Sequence, residues 1–160
     1  MKQFIHSLLF ISIAALLLVA CEKEISAPVI KNVEIGLNNS KTAYIGDDLH
    51  LEADIIADGK IASIRLVIHH EEEGADHTPK MKINGVAAHA EEWEVDTIYT
   101  GVYANVKNTT FHEHIEVPEY AEPGSYHLHL YVTDLEGNQS MIEEEITLLT
   151  QASAIRKENP

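Results

Sequence analysis

The sequence predicts an all-β fold, a sandwich of about seven antiparallel strands, and three observations predict it. From Val29 onward apolar and polar residues alternate with the period of two that a half-buried strand requires. Turn-forming clusters separate the alternating segments, at Gly46-Asp47-Asp48, Asp58-Gly59, Glu122-Pro123-Gly124 and Glu136-Gly137-Asn138. Beyond the first twenty residues no segment carries the apolar stripe of an amphipathic helix.

Taken in order, Val29 to Leu37 is a first strand. Leu49 to Ile56 is a second, in which Leu49, Leu51 and Ala53 alternate with polar partners. Ile61 to His70 is a third, with Ile64, Leu66 and Ile68 on one face. Glu92 to Val106 carries Trp93, Val95, Tyr99 and Tyr103 and is expected to hold two short strands around Gly101. Phe111 to Val117 follows. Tyr126 to Asp134 is the most regular, with Tyr126, Leu128, Leu130 and Val132 on one face, and Ser140 to Leu149 closes the set.

The N-terminus obeys a different logic. Lys2 supplies a positive start, and Leu8 to Ala20 is apolar except for Ser12. Such a run is short for a membrane span and has the proportions of a signal-peptide core. It ends in Leu18-Val19-Ala20-Cys21, which resembles the lipobox of bacterial lipoproteins. The resemblance implies cleavage before Cys21 and a lipid thioether on its thiol; an ordinary signal peptide with an incidental cysteine is the competing reading. Residues 1–20 are then the signal peptide, 21–28 the lipidated cysteine and tether, 29–150 the sandwich and 151–160 a polar, flexible tail. The acidic Glu22 and Glu24 resemble the tethers that accompany surface export in some Bacteroidota lipoproteins. The expected location is a lipid anchor in the outer membrane, facing the periplasm or the cell surface.

A second resemblance lies at the other end. Pro123-Gly124-Ser125-Tyr126-His127-Leu128 through Val132-Thr133-Asp134 to Gly137-Asn138 looks like the closing hairpin of bacterial immunoglobulin-like modules. With the lipobox, the chain resembles an uncharacterised family of small Bacteroidota lipoproteins carrying one immunoglobulin-like, PKD-like domain. This implies an immunoglobulin-like β-sandwich after a lipoprotein signal peptide, and no activity.

Composition narrows the function. The chain has 160 residues, a formal net charge of -15 and a single cysteine. One cysteine, tethered to lipid, leaves no internal disulfide, so packing must hold the domain. The acidic balance repels nucleic acid and attracts cations. No G-x-S-x-G, P-loop, H-E-x-x-H or dinucleotide fingerprint occurs, so the chain is not read as an enzyme.

Histidine is the informative residue. Ten are present, and those beyond the signal segment are His50, His69, His70, His77, His89, His112, His114, His127 and His129. His112-Glu113-His114 and His127-Leu128-His129 are H-x-H pairs on strands, where residues i and i+2 share a face about 7 Å apart. Neutral imidazole is the common ligand of zinc, copper and nickel. With Tyr126, Leu128 and Leu130 inward, His127 and His129 point outward. His69 on the third strand and Glu143 and Glu145 on the last do the same. An immunoglobulin-like sandwich puts these three strands side by side. The expected metal ligands are therefore His69, His127, His129, Glu143 and Glu145 as one patch. His112 and His114 form a second on the other sheet, unless strand ends bring the pairs together. His70, Glu71, Glu72, Glu73, Asp76 and His77 read as an acidic loop that captures metal.

These residues point to a transition-metal cofactor, zinc or copper, held by a membrane-anchored lipoprotein for buffering or delivery to an envelope transporter or other envelope protein. Two other readings remain open: a non-metal interaction or adhesion module of the envelope, and a pH sensor built from histidines beside carboxylates.

Overall fold

In a computed structural model, residues 24–70 and 90–151 are described, together with the backbone of residues 82–83 and 86–87. Ten strands occur among them: β1 Val29–Ile35, β2 Thr42–Tyr44, β3 Asp48–Ile56, β4 Ile61–His70, β5 Lys82–Ile83, β6 Val86–Ala87, β7 Val95–Tyr99, β8 Asn108–Glu116, β9 Gly124–Asp134 and β10 Gln139–Leu149. Short 3-10 turns cover Leu37–Asn39 and Gly101–Tyr103. The strand count rises from the expected seven because three elements are only two or three residues long. Residues 92–106 correct the reading in the other direction. They form one strand, β7, and then a 3-10 turn where a second strand was expected. Gly101 starts that turn at a φ of 52°, a left-handed value incompatible with continued strand.

Two sheets face each other. One has the order β1-β3-β8 and the other β2-β10-β9-β4-β7; β5 and β6 pair separately as a hairpin. Alternation explains which residues meet between them. Tyr126, Leu128, Leu130 and Val132 of β9 are fully buried, as are Ile64, Leu66 and Ile68 of β4. Leu49, Leu51 and Ala53 of β3 and Phe111 of β8 answer them from the other sheet, equally buried. Each such Leu or Ile contributes about 1.5–3 kcal/mol on leaving water, and all belong to one core.

The connectivity is that of an immunoglobulin-like sandwich. β9 lies between β10 and β4, antiparallel to both, and β8 pairs with β3 in the opposite sheet. After β1 the chain changes sheets at Gly36, where φ is 68° and a Cβ would lie 2.7 Å from the Thr42 carbonyl oxygen. β2 then runs parallel to β10. Tyr126 closes the turn before β9: its hydroxyl donates to the Glu122 carbonyl at 2.7 Å and accepts from the Trp93 amide at 3.3 Å. This is the tyrosine-corner arrangement of such folds.

Candidate metal centres

The register of β3 against β8 builds the first cluster. His50 lies directly opposite His114, and Glu52 opposite His112. The neighbours Leu49, Leu51, Phe111 and Ile115 are buried, so strand alternation turns all four polar side chains to the outer face of the three-stranded sheet. His50, His112 and His114 each offer one ligand atom, and these atoms all lie within 4.8 Å of one another. The Nε2 atoms of His112 and His114 are 3.3 Å apart. Two nitrogens on a tetrahedral zinc ion, each at about 2.0–2.1 Å from the metal, stand roughly 3.3 Å apart. The ring of His50 stands edge-on to both others, at 82° to His112 and 61° to His114.

One of these imidazoles has an orienting carboxylate. Glu52 Oε2 lies 3.4 Å from His112 Nδ1, the ring nitrogen turned away from His114. A carboxylate beside the far nitrogen of a metal-bound histidine orients the ring. Asp54, the next outward residue on β3, is occupied otherwise. It accepts from Asn32 Nδ2 at 2.8 Å and Thr110 Oγ1 at 3.0 Å, and these two hydrogen bonds, the first above all, hold its pKa below the ordinary carboxylate value.

The opposite sheet carries the second cluster. β4, β9 and β10 lie side by side, so His69 sits opposite His127, His129 opposite Glu143, and His127 opposite Glu145. His69 Nε2 and His129 Nε2 are 3.1 Å apart, while His69 Nδ1 lies 3.2 Å from the His70 carbonyl oxygen. His127 Nδ1 is 3.4 Å from Glu143 Oε1. Burial lowers the pKa of His129; the Glu143 carboxylate opposes that shift, and the His69 and His127 imidazoles add to it.

The residues expected as ligands thus fall into two groups on different sheets. His69, His127, His129 and Glu143 come together, with Glu145 exposed beside them, while His112 and His114 face the other way. The alternative in which strand ends unite the two H-x-H pairs is corrected by the sheet order. His70 is corrected too. It is the last residue of β4, half-buried, and its ring packs edge-on against Tyr126 with centroids 4.9 Å apart. Strand alternation sends it to the side opposite His69. The remaining residues of the capture loop, Glu71, Glu72, Glu73, Asp76 and His77, lie outside the described residues, as does His89.

His50 and Glu52 are the members that sequence reasoning missed. His50 stands alone in Leu49-His50-Leu51, with no H-x-H partner. The signal that finds it is the pairing of β3 with β8, a contact between segments more than fifty residues apart.

The family described as "Domain of unknown function (DUF4625)" matches residues 19–149. The comparison with curated proteins finds no match. Among solved structures, the chain is similar to the Bacillus subtilis sporulation control protein Spo0M at 10% identity and a TM-score of 0.45, covering 84% of this chain and 56% of that one. It is also similar to a catalytically inactive OgpA from Akkermansia muciniphila, solved with an O-glycopeptide, at 12% identity and a TM-score of 0.44. That match covers 79% of this chain and 30% of OgpA. The chain therefore spans 30% of the one structure's length and 56% of the other's.

Proposed function

The chain belongs to the DUF4625 family, and we propose that this member binds a transition-metal ion, zinc or copper first, as a lipid-anchored protein of the cell envelope. The observation that supports it most is the convergence of His50, His112 and His114 across two paired strands. Three imidazole nitrogens suit borderline divalent ions, and carboxylate-preferring ions such as calcium and magnesium are poorly served. Three protein ligands leave a coordination position for water or for a donor from a partner. An ion held this way can be exchanged, as buffering or delivery to an envelope transporter requires. Cys21 would carry the anchor, in the manner of Bacteroidota lipoproteins, and the net charge of -15 would concentrate cations around the domain.

Thermal unfolding with chelator and then with Zn²⁺, Cu²⁺, Ni²⁺ and Ca²⁺ tests this. A ligand specific to the folded state adds about 2.7 kcal/mol at a hundredfold excess over its dissociation constant. The transition metals are expected to raise Tm and calcium to leave it unchanged. The His112→Ala, His114→Ala variant is expected to show a smaller rise. An equal rise with every cation, or a full rise in the variant, would refute the reading and favour an interaction module with incidental histidines.

A further inference from the structure

The five-stranded sheet has an imidazole cluster of its own, remote from the trio on β3 and β8. His69 and His129 reach across the β4–β9 pairing and meet at their Nε2 corners, 3.1 Å apart. That separation falls between about 2.8 Å for adjacent nitrogens of a square-planar ion and about 3.3 Å for those of a tetrahedral one.

What holds the rings favours ligation at these corners. His69 Nδ1 can donate to the His70 carbonyl, 3.2 Å away. That bond places the proton on Nδ1 and leaves a lone pair on Nε2, the second-shell contact usual for a metal-bound histidine. His129 Nδ1 is buried and has no hydrogen-bond partner among the described residues. Its hydrogen-bonding contact is made through Nε2, the atom that faces His69, and its ring stacks beside His69, His127 and Tyr131. Glu143 lies opposite His129 in the register, and its carboxylate stands 3.4 Å from His127 Nδ1.

We propose that the outer face of the five-stranded sheet is a second, independent transition-metal site, with His69 and His129 as nitrogen ligands through Nε2 and His127 and Glu143 lying alongside. The inference deepens the metal-binding reading and takes from it the class of ion. It makes the domain a two-ion carrier with one seat on each outer face. The second seat, with two nitrogens against the trio's three, is the weaker for copper and nickel, which favour nitrogen donors.

Native mass spectrometry of the full chain in detergent, titrated with Zn²⁺ alone, tests the proposal by counting ions. The unaltered chain is expected to hold two. The His69→Ala, His129→Ala and the His112→Ala, His114→Ala variants are each expected to hold one, and the variant combining all four substitutions none. His69→Gln with His129→Gln repeats the test at nearly conserved side-chain volume, and circular dichroism checks that each variant is folded. A single ion lost only with His112 and His114 would overturn the second site and leave the trio standing. A single ion lost only with His69 and His129 would uphold the second site and overturn the trio. Two ions in both the unaltered chain and the His69, His129 variants would place the second ion elsewhere and refute the proposal, and no bound ion would overturn both sites.

Discussion

His112 and His129 are the same residue type on the same kind of strand, and their surroundings give them different chemistry. His112 is exposed on the sheet face, with Glu52 beside its Nδ1. His129 is half-buried between His69, His127 and Tyr131, with Glu143 opposite. Desolvation of the charged ring dominates there, so His129 is expected to titrate below the ordinary histidine value of 6.5. A folded-state pKa below the unfolded one means that the unfolded chain binds more protons through this window. The contribution of His129 to stability is then complete above about pH 6.5 and is lost as pH falls through its folded pKa. NMR titration of the ring protons checks the first part; a midpoint at or above 6.5 would contradict it. His50 marks the limit of reading residues singly. Its type and exposure are visible in the sequence, while its role depends on facing His114 across a long-range strand pair.

The β9–β10 hairpin shows which elements were legible. Its alternation is strict, and the structure places its inward residues where the pattern does, with Tyr126, Leu128, Leu130, Val132, Ile146 and Leu148 buried. β4 was legible for the same reason. β2 was not, because three residues carry no period; it exists because the β1–β2 crossover brings Thr42–Tyr44 alongside β10. Residues 92–106 misled because Trp93 and Tyr103 are aromatic like Tyr99, which does lie in β7. Trp93 instead packs on Tyr126 outside any strand, and Tyr103 donates to Glu113 Oε1 at 2.6 Å from the 3-10 turn.

Two predictions belong at this scale. Tyr126→Phe removes the partner of the Glu122 carbonyl and of the Trp93 amide. Stranded buried groups cost about 1–3 kcal/mol, so denaturant unfolding is expected to show a loss of that order. Asp134 holds the hairpin turn: it is 2% exposed and accepts from the Glu136 and Asn138 amides at 3.0 and 2.8 Å and from Asn138 Nδ2 at 3.0 Å. Burial pushes its pKa up, and the hydrogen bonds together outweigh it, leaving the group below the ordinary carboxylate value. Its folded pKa being depressed, its stabilisation is complete above the unfolded value near 4 and fades as pH falls through the folded one. Asp134→Asn is expected to lower Tm at pH 7 and to narrow the gap between Tm at pH 7 and pH 3. An unchanged gap would contradict this. Gly59 belongs to the same turn packing, since a Cβ there would lie 2.6 Å from Asp134 Oδ2. Gly59→Ala is expected to destabilise in the same direction.

The whole molecule is a sandwich whose two outer faces carry separate histidine clusters, with the apolar core between them. Strand alternation alone sorts the residues: apolar side chains fill the space between the sheets, and imidazoles and carboxylates at the intervening positions emerge on opposite sides. That the H-x-H pairs sit on strands and point outward was readable from the pattern. Which strands would lie beside them was readable only for the sheet with the resemblance to an immunoglobulin-like closing hairpin. The partners of His112 and His114 came from the other end of the chain and required the fold.

The most direct measurement is X-ray absorption at the zinc edge on the His69→Ala, His129→Ala chain loaded with one equivalent of Zn²⁺, which isolates the trio. The account predicts a shell of three imidazole nitrogens at about 2.0–2.1 Å with one oxygen donor, and its loss when His50 is also replaced. A shell of oxygens without imidazole scattering, or a spectrum indifferent to His50, would contradict it.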